Sequence, residues 1–138
     1  MAVVVDANLL VPLVVRDPRA GAVSQLLREW LERGERLHAP ALAPYEVASA
    51  LTGRAFDGSL SAEEMSAAAS RFAALPISYH ALGDISRTVE ITRSLERRSA
   101  YDAAYIALAE ALGTELWTLD GPLARNAGGR GFPVRLAL

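Results

Sequence analysis

The 138-residue sequence contains neither cysteine nor lysine, so all fourteen of its Lys and Arg positions are arginine. Without cysteine the chain forms no disulfide, thiolate zinc site or iron–sulfur cluster, and it offers no thiol nucleophile. Without lysine it lacks the amine of Schiff-base enzymes and the lysine of a Walker A loop. These absences exclude several large enzyme classes before any motif is considered.

Long hydrophobic runs are also missing. The apolar start of the chain is interrupted by Asp6 and has no basic leader, unlike a signal peptide. No stretch approaches the roughly 20 apolar residues that span a bilayer. We therefore expect a cytoplasmic protein without membrane attachment. The length predicts a single domain over residues 1–138, and the net charge of −2 does not by itself indicate a nucleic-acid binder.

Short β-prone runs alternate with amphipathic helical patterns along the chain. The runs predict strands over residues 2–6, 36–39, 76–80, 115–120 and 133–136. Helical periodicity and helix-start signals predict helices over residues 21–33, 44–52, 61–75, 84–97 and 102–112. Ser61 and Glu64 have capping-box spacing, and Ser99 with Asp102 resembles a second box. The alternation is typical of an α/β fold with a mainly parallel sheet.

Three carboxylates fall where predicted strands end. Asp6 directly follows the first strand, Asp120 ends the fourth, and Glu46 lies in the first turn of the helix after the second. Functional sites in parallel α/β sheets gather beyond the carboxyl ends of the strands. These three acids therefore share one edge of the sheet. A carboxylate that ends a fully apolar strand, as Asp6 does, is costly unless something uses it.

A length argument brings Asp102 to the same edge. Its helix, 102–112, rises about 16 Å, and the following strand, 115–120, returns about 17–20 Å. Asp102 at the start of one element is then level with Asp120 at the end of the other. Two like charges about 4 Å apart repel by about 4 kcal/mol at an effective dielectric of about 20. Either protons remain bound or a cation occupies the site, and oxygen-only ligands suit Mg²⁺ or Mn²⁺.

Each of these acids also has a purely structural interpretation. Asp102 complements a helix dipole, and Glu46 is an ordinary first-turn acid. Asp120, before Gly121 and a proline, is a typical turn or cap residue. The four acids taken together favour a metal site over four unrelated structural roles.

The segments that carry the acids resemble the motifs of a known family. VVVDANLL, APYEVASAL, SAYDAAYIALAEALG and LWTLDGPLA are similar, in order and spacing, to the four acidic motifs of PIN-domain ribonucleases. The small size resembles the VapC-type toxins of bacterial toxin–antitoxin modules. The resemblance covers essentially the whole chain. It implies a three-layer α/β sandwich around a parallel sheet of about five strands and an endoribonuclease that uses Mg²⁺ or Mn²⁺.

The resemblance also implies roles for individual residues and partners. The acidic positions, which are catalytic and metal-binding in the family, match Asp6, Glu46, Asp102 and Asp120. Asn8 and Thr118 match polar positions that assist the site, although many relatives carry serine or threonine where Asn8 stands. Gly121 replaces the polar or basic residue often found after the last aspartate. The family further implies an RNA substrate, a cognate antitoxin that covers or invades the site, and a homodimer.

Some other polar residues are weaker candidates. Arg97 and Arg98 precede the predicted 102–112 helix, and Arg125 stands beside an NAGGRG stretch that we interpret as a flexible surface loop. These arginines are candidate contacts to RNA phosphates, and a solvated surface explains them equally. His38 and His80 have no partner at metal-ligand spacing, and we expect them to pack or to face water.

Other functional classes remain as alternatives. A haloacid-dehalogenase-like phosphatase also places an aspartate after an apolar strand, but it needs a second aspartate where Asn8 stands and usually a lysine. A phospho-receiver domain needs a lysine as well. Within the resembled family, a housekeeping RNA-processing nuclease and a non-catalytic binding module fit the same residues. A small antitoxin gene beside this one would identify the toxin.

Overall fold

The computed structural model describes residues 1–138 and contains a five-stranded, all-parallel sheet with the order β3-β2-β1-β4-β5. The strands are β1 (Ala2–Val5), β2 (Arg36–Pro40), β3 (Ile77–His80), β4 (Leu116–Thr118) and β5 (Val134–Leu136). The helices are α1 (Ala7–Val14), α2 (Ala20–Glu32), α3 (Ala43–Phe56), α4 (Ala62–Ala73), α5 (Ile85–Ser94), α6 (Tyr101–Ala111) and α7 (Gly121–Gly129). The predicted α/β fold with a central parallel sheet is confirmed. None of the helices is both long and apolar enough to cross a membrane.

The topology places a switch point between β1 and β4. From the central β1 the chain runs outward through β2 and β3, and it then crosses back to add β4 and β5 on the other side. In such sheets the crevice beyond the carboxyl ends, where the order reverses, is the usual binding place. Val5 at the end of β1 is paired with Trp117 of β4. The residues that follow both strands therefore emerge side by side.

The burial of β1 fixes the position of the carboxyl edge of the sheet. Val4 and Val5 have no exposed surface, as expected for a continuous apolar run in a parallel sheet that is covered on both faces. Helices α1, α3 and α4 pack against one another. Helix α6 packs against β1, β2 and β4, and it also packs against α5. Leu10 of α1 and Ile106 of α6 are also fully buried. The strand end that precedes Asp6 is thus held by packing.

The predicted strands and helices are confirmed to within four residues at each end, but two helices were missed. Helix α1 was missed because it is apolar on nearly all sides and contains Pro12, so it lacks an amphipathic pattern. The flexible loop predicted around Arg125 is wrong, because the segment is helix α7. The Asp120 side chain caps it by accepting a hydrogen bond from the Leu123 backbone at 2.9 Å, and buried Leu123 anchors its apolar side.

The two predicted capping boxes have different outcomes. The Ser61 box is confirmed: the Glu64 backbone donates to the Ser61 hydroxyl, and the Ser61 backbone donates to the Glu64 carboxylate, both at 3.1 Å. The second box is wrong, because α6 has Ala100 as its N-cap and no side chain caps it. The Asp102 carboxylate is therefore not used to cap its own helix.

Replacing Ser61 with alanine should destabilise the protein, because it removes the hydrogen-bond acceptor that caps α4. We expect the free energy of unfolding, measured by urea denaturation, to fall by about 1 kcal/mol. Ser66→Ala is the matched control, since Ser66 is exposed within the same helix. Equal losses in the two variants would contradict the assigned cap.

Candidate active site

All four predicted acids lie at the carboxyl edge of the sheet and influence one another electrostatically. Asp6 follows β1, Asp120 caps α7 two residues after the end of β4, and Glu46 and Asp102 lie in the first turns of α3 and α6. Asp102 is the centre of the group, because its charge interacts with those of Asp6, Glu46 and Asp120. We refer to these four residues as the acidic cluster.

The Thr118 hydroxyl connects the members of the cluster that lie nearest the switch point. It donates a hydrogen bond to Asp6 Oδ2 at 2.8 Å. It accepts hydrogen bonds from Asn8 Nδ2 at 2.9 Å and from the Asp120 backbone N–H at 3.0 Å. Thr118 has no exposed surface. This single oxygen therefore fixes the distance between the segments that follow β1 and β4.

Asn8 adds a second link between the same segments. Its Oδ1 accepts a hydrogen bond from the Leu119 backbone N–H at 2.9 Å, while its Nδ2 donates to Thr118. The Asp6 backbone N–H donates to the Trp117 carbonyl at 3.0 Å, extending the sheet pairing by one residue. Thr118 thus contacts the acidic cluster directly, and the Asn8 side chain contacts Thr118. Their supporting role in the activity stays a prediction.

Burial dominates the charge state of Asp6. Only 8% of Asp6 is exposed, and this desolvation raises its pKa to about 7 despite the Thr118 hydrogen bond, which lowers it. The charges of Asp102 and Glu46 contribute to the same rise. Near neutral pH this carboxyl group is therefore poised between its protonated and charged forms, and a cation nearby would favour the charged form.

The pKa values of two other members of the cluster shift in the same direction. Burial raises the pKa of Asp102, the charge of Arg97 lowers it, and the charge of Asp120 raises it. Burial also raises the pKa of Glu46, with a lowering contribution from a hydrogen bond to Tyr105 and a raising one from Asp102. The cluster thus lacks enough positive charge from the protein to stabilise all of its carboxylates.

Tyr105 is a polar contact of the cluster that sequence analysis missed. Its hydroxyl donates to Glu46 Oε1 at 2.6 Å, although Tyr105 itself is 1% exposed. The only signal in the sequence is helical spacing, since Tyr105 lies three residues after Asp102 and so on the same side of α6. A tyrosine in a largely apolar helix is indistinguishable by pattern from an ordinary core residue.

The donor atoms of the cluster fit a hard divalent cation. All of them are carboxylate oxygens, and Asp6 is buried with too little positive charge around it. No three acidic, histidine or cysteine side chains are close enough to enclose an ion. Mg²⁺ does not need such a cage, because it keeps several waters and is usually held by one or two carboxylates together with substrate phosphates. An open, hydrated site is therefore the kind that this geometry supports.

The three candidate arginines differ in their relation to the cluster. Arg97 is exposed and lies within electrostatic reach of Asp102. The Arg125 guanidinium lies over Gly121, where a Cβ atom would be 3.1 Å from Nη1. A side chain at Gly121 would push this guanidinium away, so the glycine that follows Asp120 makes room for a positive charge. Arg98 is exposed, and no contact places it in the cluster.

His38 and His80 contact each other instead of the acidic cluster. His38 Nδ1 and His80 Nε2 are 2.8 Å apart, and the rings pack with their centroids at 5.0 Å. The expectation that they pack is met by this mutual contact between β2 and β3. Burial lowers the pKa of His38, and its electrostatic interactions with His80 and Arg36 also lower it. The neutral form of His38 is therefore favoured.

Comparison with known proteins gives consistent matches in sequence and structure. Residues 3–129 match the family model described as "PIN domain". The chain is 34% identical over 126 residues to Ribonuclease VapC12 of Mycobacterium tuberculosis, covering 91% of this chain and 92% of that protein. It is 34% identical over 130 residues to Ribonuclease VapC3 of Pyrobaculum aerophilum, covering 91% and 95%.

Two crystal structures share the fold. PAE2754 from Pyrobaculum aerophilum has a TM-score of 0.68 at 21% sequence identity and covers 91% of this chain and 79% of that one. VapC20 of Mycobacterium tuberculosis, described as a sarcin-ricin loop cleaving toxin, has a TM-score of 0.64 at 18% identity and covers 94% and 95%. These likenesses support the fold described above.

The raised pKa of Asp6 predicts how stability depends on pH without divalent cations. The folded protein binds this proton more tightly than the unfolded chain, whose pKa is near 3.8. The stabilisation is therefore complete below pH 3.8 and is lost as pH rises to about 7. We expect the free energy of unfolding in EDTA to decline over this range more steeply for the wild type than for Asp6→Asn. Parallel pH profiles from urea denaturation would refute the assignment.

Proposed function

The chain belongs to the PIN-domain family, and on this premise we propose that it is an endoribonuclease toxin of a toxin–antitoxin pair, with the acidic cluster as its active site. The curated relatives that match over nine tenths of the chain are ribonucleases of the VapC type, which supports ribonuclease activity. The observation that carries the assignment of the site is the grouping of four carboxylates around Asp102 at the switch point.

We further propose that the enzyme depends on Mg²⁺ or Mn²⁺. The residues that would hold the cation are Asp6, Glu46, Asp102 and Asp120. When bound, the cation supplies positive charge that polarises the phosphodiester and makes the hydrolytic water more acidic. The chemistry of the cluster supports this requirement, because burial and mutual repulsion raise the pKa of Asp6 to about 7 and an added cation would favour its charged form.

The remaining polar residues would orient the site and its substrate. Thr118 and Asn8 fix the Asp6 and Asp120 segments relative to each other through buried hydrogen bonds. Arg97 lies within electrostatic reach of Asp102, and Arg125 lies over Gly121, the residue after Asp120. Guanidinium groups in these positions suit phosphate contacts along an RNA backbone. Arg98 would contribute to the same basic rim from its exposed position. Arginine takes this whole role because the chain has no lysine.

The proposed partners are a cognate antitoxin and a second copy of the chain, in the cytoplasm. The VapC names of the relatives support an antitoxin. Exposed apolar side chains on one side of the molecule support contact with another protein: Leu82, Ile85 and Val89 lie on the β3–α5 connection and on α5. Leu82 lines a groove of about 690 Å³ that extends to α6. Apolar surface of this kind is typical of protein interfaces.

The role of Asp120 can be tested against a matched aspartate. Asp120→Asn and Asp84→Asn each keep an N-cap acceptor, because both side chains accept a backbone hydrogen bond at the start of a helix. We expect Asp120→Asn to lower EDTA-sensitive RNA cleavage by more than about 100-fold, since losing only an outer contact to a metal ligand costs roughly 10- to 100-fold. We expect Asp84→Asn to cleave like the wild type.

The test uses purified protein, a mixed RNA substrate and added Mg²⁺ or Mn²⁺, with thermal unfolding of each variant as the check on folding. Wild-type cleavage that persists in EDTA would overturn the metal requirement. Cleavage by Asp120→Asn at the wild-type rate would overturn the site. Growth arrest on expression of the wild type, relieved in Asp120→Asn, is the outcome expected of a toxin rather than of a housekeeping nuclease.

A further inference from the structure

We propose that Tyr105 is a positioning residue that holds the Glu46 carboxylate in the active site through its hydroxyl group. The inference rests on the proposed function and adds a residue that the four acidic motifs do not include. It concerns the orientation of one metal-binding acid, not direct contact with the substrate.

The contact joins two helices at the point where both reach the site. Tyr105 lies on α6 and Glu46 in the first turn of α3, and the Tyr105 hydroxyl donates to Glu46 Oε1 at 2.6 Å. Asp102 is in the first turn of the same α6, three residues before Tyr105. One helix therefore supplies an acid of its own and fixes the position of another.

The Tyr105 hydroxyl is too deeply buried for water to replace Glu46 as its hydrogen-bond partner. Tyr105 is 1% exposed, and a buried phenol almost always requires a hydrogen-bond partner. Glu46 is only half-buried, so without this bond its flexible side chain would be free to turn toward solvent. Because Oε1 is engaged by the phenol, the orientation of the carboxylate is fixed and its second oxygen remains available to a ligand.

A neutral donor suits this position better than a cationic one. An arginine in place of Tyr105 would orient Glu46 but would also neutralise it and repel a divalent cation. A phenol ordinarily loses its proton only at about pH 10, and the Tyr105 hydroxyl donates to Glu46 Oε1. The phenol therefore keeps its proton and remains a donor while Glu46 keeps the negative charge that binds metal.

Tyr105→Phe separates the hydroxyl from the packing of the ring. We expect its dissociation constant for Mn²⁺, measured by calorimetry, to rise by about tenfold, the lower end of the effect of removing an outer contact to a metal ligand. Tyr79→Phe is the matched control, because Tyr79 is partly exposed and packs against Phe72 away from the acidic cluster. We expect this control to bind Mn²⁺ like the wild type.

A second pair of variants shows whether the effect passes through Glu46. In a Glu46→Ala background the hydroxyl has no carboxylate to orient, so adding Tyr105→Phe should not change the remaining Mn²⁺ affinity. This comparison stays informative even if Tyr105→Phe lowers stability, because a general loss of structure would weaken binding in both backgrounds.

The outcomes separate this inference from the proposed function. Wild-type Mn²⁺ affinity in Tyr105→Phe, or an equal loss in the Glu46→Ala background, would overturn the role of Tyr105 while Asp120-dependent RNA cleavage still supported the nuclease. A wild-type protein that neither binds Mn²⁺ nor cleaves RNA would overturn the proposed function and this inference together. A tenfold loss that disappears without Glu46 would establish the positioning role.

Discussion

The site depends on the hydroxyl of Thr118. Asp6 and Thr118 are 112 residues apart in the chain and meet because β4 is placed beside β1 by the crossover. Thr118 donates to the Asp6 carboxylate and accepts from Asn8 and from the Asp120 backbone. Buried hydrogen bonds to charged groups stabilise a fold by about 1.5–3 kcal/mol each. The same bonds that join the two halves of the sheet therefore also set the spacing of its carboxylates.

The acidic cluster is electrostatically unfavourable without a cation, because burial and like charges disfavour the charged form of Asp6. Four acids share one edge in a chain whose net charge is only −2, so the overall balance of charges conceals a local excess of negative charge. Burial raises the pKa of Asp6 to about 7, and Tyr105 and Thr118 provide hydrogen bonds without adding positive charge. Arg97 and Arg125 remain at the margin of the cluster. This arrangement supports the proposal that a cation supplies the counter-charge and that the arginines contact an anionic substrate.

The parts of the site that follow from strand order and element length could be predicted from sequence. Asp6 and Asp120 end apolar runs, and matching lengths of helix and strand brought Asp102 to the same level. Tyr105 could not be predicted, because only the packing of α6 against α3 shows that its hydroxyl meets Glu46. Helix α7 was missed because its glycines outweighed the cap by Asp120. The His38–His80 contact likewise depends on the register between neighbouring strands.

The proposed role of the acidic cluster is to bind the divalent cation used to cleave RNA. A crystal structure grown with Mn²⁺ at neutral pH would reveal the position of the metal by anomalous diffraction. We expect an anomalous peak at the carboxyl edge between β1 and β4, in contact with oxygens of the acidic cluster. A peak only at the histidine pair, or a cluster without metal at saturating Mn²⁺, would contradict it.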